Sequence, residues 1–491
     1  MGDDKEITIP DLSRYRGGKG RLKGLRCIHT HLKGEPLSQD DLTDLALLRL
    51  DLMAALETNS QGLPGRVFVG YLLPGNASEG VWRLEEFRNV ADLTLDFPAF
   101  IRSLEDELHK GFGALQVEGR ETAILASVVQ YGKSFPIEDS LEELAELACT
   151  AGLEVIDIVI QRPKRINPKY LMGEGRLKDL IIKGLQSGAD IICFDQDLSP
   201  AQINAIAEKT DLKVIDRTQL ILDIFARRAH SRDGKVRVEL AQLKYLLPRL
   251  TGKGIAMSRL MGGIGGRGPG ETKLETDRRR IKDRIHRLEK DLKQMAKGGW
   301  QRRTKRRKQG LPICSIVGYT NTGKSTLLNA LTDSSVGVED KLFATLDTAS
   351  RRLRFPRERE VIITDTVGFI RDLPPSLLGA FRSTLDELQD ADLLLHVIDV
   401  SNPRFEDQMA SVEALLTELG LGQIPLLKVF NKQDRVEPAF ARLICRRFGG
   451  VAISALDRST FSPLLTEIEE LIWGKKREAE APPLFIEHET G

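Results

Sequence analysis

The chain is poor in cysteine and has no long apolar run, and each shortage removes a class of protein. Five cysteines, Cys27, Cys149, Cys193, Cys314 and Cys445, are scattered through 491 residues without a C-x-x-C pair, so neither a disulfide framework nor a cysteine-built zinc site is indicated. Reduced, mostly packed thiols are expected. No uninterrupted apolar stretch approaches the roughly 18 residues of a membrane span. The polar opening Met1-Gly2-Asp3-Asp4-Lys5-Glu6 also lacks the apolar segment of a secretion signal. A cytoplasmic protein is expected, with association to a membrane surface left open. Hydrophobic content of 41% and charged content of 29% are ordinary for a globular chain, and the length suits roughly three or four domains. Net charge is also scarce, +1 overall, yet residues 271–309 hold sixteen Lys or Arg against six Asp or Glu. That is where a polyanion would land.

Against these absences stands one strong motif. An apolar run at residues 311–317 leads into Gly318-Tyr319-Thr320-Asn321-Thr322-Gly323-Lys324-Ser325, and an amphipathic segment at 326–331 leads out. The order predicts strand, phosphate-cradling loop and helix. Successive backbone N–H groups and the helix N-terminus would wrap a phosphate chain, Lys324 would reach the β- and γ-phosphates, and the Ser325 hydroxyl would ligate Mg²⁺. A chance Gly/Ser turn is a poor alternative for eight positions in this context.

Downstream, an apolar run ends at Val429-Phe430 and is followed by Asn431-Lys432-Gln433-Asp434. The Asp434 carboxylate can accept two hydrogen bonds from guanine N1–H and its exocyclic amine, a donor pair that adenine lacks. Such a site rejects the wrong base by roughly 10⁴-fold or more. Further on, Ser454-Ala455-Leu456 closes another buried strand with a small-residue loop suited to backbone contact with the base. Between these motifs, Asp365-Thr366-Val367-Gly368 ends a predicted strand: Asp365 can hold Mg²⁺ through water, and the Gly368 N–H can approach the γ-phosphate because no Cβ blocks it. Upstream, Phe343-Ala344-Thr345-Leu346-Asp347 supplies Thr345 as the second hydroxyl ligand of Mg²⁺, with Thr348 as its rival. Lys324, Thr345 and Gly368 are the expected catalytic set. After Gly368 stand Phe369 and Ile370, where many GTPases place a Gln that orients the attacking water. Either turnover is slow until a partner completes the site, or Phe369 is core packing and the water is positioned from elsewhere.

The expected architecture is a multidomain α/β chain. Residues 1–120 form an amino-terminal extension of unassigned fold. Residues 121–236 alternate strand and helix, predicting a parallel sheet, with Ser199 capping a helix that Pro200 begins. Over 237–310 an antiparallel helical pair is expected, with Val238, Leu243, Leu246 and Leu247 on one side of the first helix. Leu274, Ile281, Ile285, Leu288, Leu292 and Met295 form a heptad-like stripe on the second. The loop between them contains Gly263-x-Gly265-x-x-Gly268, but no strand precedes it, so the dinucleotide reading is rejected. With Arg259, Arg267 and Lys273 it suits irregular RNA; a plain connector is the alternative. Arg302 to Lys308 read as a basic linker into a P-loop GTPase domain with a mostly parallel sheet over 311–475, and a tail covers 476–491.

One puzzle lies near the start, His29-Thr30-His31 followed by Ser38 and Asp41. The pattern resembles the zinc motif of JAMM-type metallopeptidases. It departs from it at Leu32, where that family has Pro, in a gap one residue short, and in little room upstream for a catalytic Glu. The other reading makes Ser38 a helix cap, Asp41 a first-turn residue, and Leu45, Leu48 and Leu52 one apolar face.

With its motifs taken in order, the chain resembles the HflX family of ribosome-associated GTPases over roughly residues 121–475, the extension before residue 121 lying outside the resemblance. The resemblance rests on Ser199-Pro-Ala-Gln202, Val214-Ile-Asp-Arg-Thr218, Ile221-Leu-Asp-Ile-Phe225, Glu239 through Arg249, Gly265 through Thr272 and Leu274 through Arg278. Phe343 to Asp347 match the family's switch segment, whereas Thr348-Ala349-Ser350 depart from its usual Pro-Thr-Thr. The resemblance implies a GTP/GDP switch using Mg²⁺, acting as a monomer with the large ribosomal subunit and its RNA and splitting stalled or idle ribosomes under stress. It also implies a glycine loop that reaches peptidyl-transferase RNA, and a chain without the carboxy-terminal domain of some relatives. The alternatives are a GTPase of ribosome assembly or RNA modification, or an RNA-binding or metallopeptidase-like module that GTP regulates.

Overall fold

A computed structural model describes residues 21–31, 34–58, 61–73, 81–113, 120–129, 137–250, 270–308, 311–332, 350–355, 359–365, 368–370 and 386–474. The chain divides into two compact units, residues 1–220 with 249–274 and residues 221–248 with 275–491.

The first unit holds two four-stranded sheets. In one, β1 (Arg26–His31) and β2 (Leu52–Thr58) run parallel, while β3 (Pro64–Leu72) and β4 (Trp82–Phe87) continue antiparallel in the order β1-β2-β3-β4. A parallel pair needs a crossover, and α1 (Gln39–Leu47) provides it, capped by Ser38 in a capping box with Asp41. Leu37, Leu42, Leu45, Met53, Ala55 and Phe68 make the core beneath it. The helix does not extend to Leu52 as expected. Leu48 is its C-cap, Arg49 turns left-handed at φ 51, and Leu52 opens β2. A second helix, α2 (Phe97–Gly113), follows β4.

The other sheet has the order β6-β5-β7-β8, all parallel, from β5 (Thr122–Val128), β6 (Glu154–Gln161), β7 (Ile191–Phe194) and β8 (Lys213–Asp216). The crossovers are α3 (Ile137–Thr150), α4 (Glu174–Gln186) and α5 (Pro200–Ala207). Every side chain of β5 and β7 is buried, as continuous apolar strands covered on both faces require. Ser199 caps α5, with Gln202 completing a capping box and Pro200 at its first turn. The helix α6 (Arg217–Arg228) comes next.

In the second unit, α7 (Arg232–Leu246) and α8 (Gly270–Lys308) are joined by Arg284 to Glu239 at 2.6 Å and Lys244 to Glu289 at 2.7 Å. Both pairs advance in the same sense along the two helices, so they lend no support to an antiparallel crossing. Of the expected face of α7, Val238 is buried, while Leu243, Leu246 and Leu247 are half-buried; Leu240, Ala241 and Tyr245 are the other buried residues. Along α8, Ile281, Ile285 and Leu288 are buried and Leu292 and Met295 half-buried; the Leu274 side chain lies outside the described residues. The basic tract 302–308 is part of α8 rather than a linker. Lys, Arg and Gln are good helix formers, and nothing in that tract stops the helix.

The second unit's sheet has the order β10-β11-β9-β12-β13-β14. Its strands are β9 (Ile313–Val317), β10 (Ser350–Phe355), β11 (Arg359–Asp365), β12 (Leu393–Asp399), β13 (Leu426–Asn431) and β14 (Val451–Ala452). Only β10 against β11 is antiparallel. The helices are α9 (Lys324–Thr332), α10 (Phe405–Glu418), α11 (Pro438–Phe448) and α12 (Ser462–Glu469). In such sheets ligands sit at the carboxyl ends of the strands. Here β9, β11 and β13 end at Val317, Asp365 and Asn431, each on a predicted motif.

Candidate functional site

Residues 318–325 leave β9 in a conformation that only glycine tolerates at two points. Gly318 has φ 152 and Gly323 has φ 89, and a Cβ would strike the Val397 carbonyl oxygen at the first and the Asn431 amide at the second. Asn321, at φ 60, takes the left-handed turn that Asn accepts more readily than most residues. Thr322 Oγ1 donates to the Tyr319 carbonyl at 3.0 Å, and α9 starts at Lys324.

Lys324 is 7% exposed, and its ammonium donates to the Tyr319 carbonyl at 2.6 Å. Burial pushes its pKa down to about 8, against the opposing pull of Asp365. Ser325 Oγ donates to Asp365 Oδ2 at 2.7 Å, so the expected Mg²⁺ ligand and the carboxylate expected to hold the ion through water stand side by side. A Cβ on Gly368 would come within 2.8 Å of Thr320 Cγ2 and 3.0 Å of Lys324 Nζ. This residue stands directly over the phosphate-loop lysine.

Phe369 contributes through its backbone. Its N–H donates to the Gly318 carbonyl at 3.0 Å, and its carbonyl accepts from Thr320 N at 2.7 Å, lacing the Asp365 segment to the phosphate loop. Its side chain is 3% exposed, a burial that both readings of this position share.

The base-side motifs converge on Asn431. Its Nδ2 donates to the Thr322 carbonyl at 2.8 Å and its Oδ1 accepts from Ala455 N at 2.8 Å, so one buried amide ties three motifs. Lys432, left-handed at φ 63, donates to the Asn321 carbonyl at 2.9 Å and pairs with Asp399 at 2.6 Å. Gln433 N donates to the Ile453 carbonyl at 3.1 Å. Asp434 is exposed beside them, and Leu456 is 78% exposed while Ser454 and Ala455 are buried. Ser454 N donates to Thr460 Oγ1 at 3.0 Å. Asp399 and Thr460 were not legible from motif spacing, since each works through a residue that is.

Phe343, Ala344, Thr345, Leu346, Asp347, Thr348, Thr366 and Val367 lie outside the described residues, as does the glycine loop through Gly263, Gly265 and Gly268.

A phosphate loop, an aspartate and glycine closing over its lysine, and an Asn-Lys-x-Asp segment docked on it define a P-loop GTP-binding protein. Three family models match in succession: GTP-binding GTPase N-terminal over residues 138–226, GTP-binding GTPase Middle Region over 228–308 and 50S ribosome-binding GTPase over 313–432. The GTPase HflX of Caldanaerobacter subterraneus subsp. tengcongensis is 51% identical over 318 residues, covering 65% of this chain and 74% of that protein. The GTPase HflX of Escherichia coli is 43% identical over 317 residues, covering 65% and 74%. A solved GTP-binding protein from Sulfolobus solfataricus in complex with GDP aligns at 26% identity and a TM-score of 0.39, over 72% of this chain and 99% of that one. The chain belongs to the GTPase HflX family. It is a GTPase, and no described helix is long and apolar enough to cross a membrane.

Proposed function

We propose that this GTPase couples its nucleotide state to the large ribosomal subunit and, in the GTP form, splits stalled or idle ribosomes under stress. The brace through Asn431 carries the nucleotide half, because it makes base recognition and phosphate binding one rigid construction. The name of the family model over 313–432 and the positive surplus in α8 support the ribosomal half.

In this reading, backbone N–H groups of Tyr319 to Ser325 and the Lys324 ammonium hold the phosphates, and Gly368 N–H meets the γ-phosphate. Asp434 accepts from guanine N1–H and the exocyclic amine, while Ser454, Ala455 and Leu456 offer backbone against the base. Ser325 Oγ and the Thr345 hydroxyl would ligate Mg²⁺, and the Asp365 carboxylate beside Ser325 would hold it through water, an all-oxygen surrounding of the kind Mg²⁺ prefers. When bound, Mg²⁺ neutralises charge on the β- and γ-oxygens. Phe369 is buried, so no side chain at that position reaches an attacking water. Intrinsic turnover is therefore slow, and a partner surface raises it by roughly 10³ to 10⁵-fold. The chain is expected to work as a monomer in the cytoplasm, where ribosomes are.

Two measurements test this. Sucrose-gradient sedimentation with a GTP or GDP analogue should show the chain on large subunits and intact ribosomes falling apart only with the GTP analogue; absence of any ribosomal cosedimentation sinks the reading. Asp434→Asn should lose GTP affinity by roughly 10²-fold or more and gain xanthosine triphosphate, whose carbonyl accepts where guanine donates. Unchanged base preference would remove Asp434 from that role.

A further inference from the structure

Outside the nucleotide machinery, the first unit holds a side-chain cluster for which GTP binding has no use. His29 and His31 alternate on β1, so they share one face, and Asp41 stands in the first turn of α1. One ligand atom from each lies within 4.8 Å of the others. The two Nε2 atoms face each other at 2.9 Å, and Asp41 Oδ1 lies 3.9 Å from His29 Nε2. Ligands about 2.0–2.2 Å from a tetrahedral ion sit roughly 3.3 Å apart. These separations bracket that figure, and small side-chain rotations bring all three donors onto one centre.

The outer contacts aim the donors. His31 Nδ1 lies 2.8 Å from the Glu35 carbonyl, and a carbonyl only accepts, so Nδ1 holds the proton and Nε2 presents its lone pair. Asp41 Oδ2 accepts from both Ser38 N at 2.8 Å and Ser38 Oγ at 2.7 Å, which leaves Oδ1 turned toward the imidazoles. His29 Nδ1 faces Cys27 Sγ at 3.9 Å. Such outer partners fix ring orientation and tautomer in metal sites. Helix capping explains Ser38 and Asp41 Oδ2; with the His31 Nε2 lone pair free, His29 Nε2–H donates to it at 2.9 Å in the metal-free chain, and an ion would take the place of that proton between the two rings. Glu57, the register partner of His31 on β2, is taken by Arg66 at 2.9 Å and is not counted as a ligand. All three donors are half-buried, so an ion can enter.

We propose that His29, His31 and Asp41 bind one divalent transition-metal ion of the zinc class, with a fourth position open to water or an exogenous ligand. Two imidazoles and one carboxylate select such an ion over Mg²⁺ or Ca²⁺, which take oxygen ligands. Three protein ligands with an open position are the arrangement of reactive rather than purely structural zinc sites.

The test uses the metal-stripped full-length chain with GDP and excess Mg²⁺ present, titrated with Zn²⁺ by calorimetry and with Co²⁺ by visible absorption. One equivalent of Zn²⁺ should bind per chain, and Co²⁺ should give the d–d bands of a low-symmetry site. His29→Gln, His31→Gln and Asp41→Asn should each weaken binding at least about 100-fold, and Ser38→Ala by roughly 10-fold through the carboxylate it orients. GDP affinity, read at the other unit, should stay unchanged, and an unchanged far-ultraviolet circular dichroism spectrum of each variant reports folding of the first unit. A wild-type chain that takes up no stoichiometric Zn²⁺ overturns the site without any variant. Binding that survives the double change His29→Gln/His31→Gln overturns it as well.

Discussion

Lys324 carries a charge that its own burial opposes, and a phosphate is what relieves the conflict. Desolvation brings its pKa to about 8 from the ordinary 10.5, so the free chain loses this charge as pH rises through about 8. Bound phosphates favour the ammonium and raise the pKa again. GDP affinity should therefore be flat below pH 8 and fall toward tenfold per unit above it. Lys324→Met should bind weakly with no such fall; a wild-type affinity that is level to pH 9 would contradict the argument. His396 shows the opposite dependence. It is 1% exposed in the middle of β12, burial lowers its pKa to about 3 from 6.5, with Lys428 and Lys324 adding to the effect, and its Nδ1 has no hydrogen-bond partner among the described residues. The folded group stays neutral where the unfolded one takes a proton, so its contribution to stability is present above pH 6.5 and lost on acidification toward 3. His396→Leu should flatten the decline in melting temperature between pH 7 and 5; an unchanged slope would place the acid-sensitive group elsewhere. Asn431 has no charge to titrate, yet Asn431→Ala would leave the buried Thr322 carbonyl and Ala455 N–H without this partner, at about 1–3 kcal/mol each. Thermal denaturation and GDP titration should both register the loss.

The elements were legible where a local rule and the tertiary structure agree. Ser199-Pro200 starts α5 because capping oxygen and fixed φ suit a helix start in any context, and the buried run of β5 reads as a strand because both its faces are covered. The phosphate loop was legible because its glycines answer a backbone demand that other residues meet only with strain. Reading failed where packing decides. On α7 the expected Val238 is buried, but the leucines at 243, 246 and 247, which satisfy helical spacing, give way to Leu240, Ala241 and Tyr245 on the buried face. No periodicity chooses between two partly apolar stripes. Leu52 likewise continues the spacing of α1, yet the left-handed Arg49 hands it to β2. Asp399 and Thr460 were missed because their work is to hold Lys432 and Ser454, and such support leaves no fixed spacing. The stripe on α8 was read correctly at Ile281, Ile285 and Leu288. Leu288, 1% exposed, should on change to Ala cost about 2–5 kcal/mol for the cavity it leaves, measurable as a lower denaturation midpoint. Arg284, on the exposed side of the same helix, makes a solvent-screened pair with Glu239, and its replacement by Ala should leave the midpoint almost unmoved.

At the scale of the whole molecule, a chain with a net charge of +1 has no general attraction for RNA, so any ribosome binding must come from where its charge is gathered. Residues 271–309 hold that surplus, and the basic tract continues the helical backbone of α8 instead of forming a loose connector. A helical backbone has already given up the chain entropy that a loose connector would lose on meeting a phosphate backbone. Such cations position the protein and do not read sequence. Replacing Arg302, Arg303, Lys305, Arg306, Arg307 and Lys308 with Gln should keep the helix, since Gln matches their helix propensity, and should leave GDP affinity unchanged. Binding of the GTP form to large subunits should weaken. The slope of log affinity against log salt should also become shallower by about 0.7–0.9 for each phosphate contact removed. The slope is the deciding quantity, because a general loss of fold would weaken binding at every salt concentration and take GDP binding with it. A slope that stays the same after all six replacements would put the ribosomal contact on another surface of the chain.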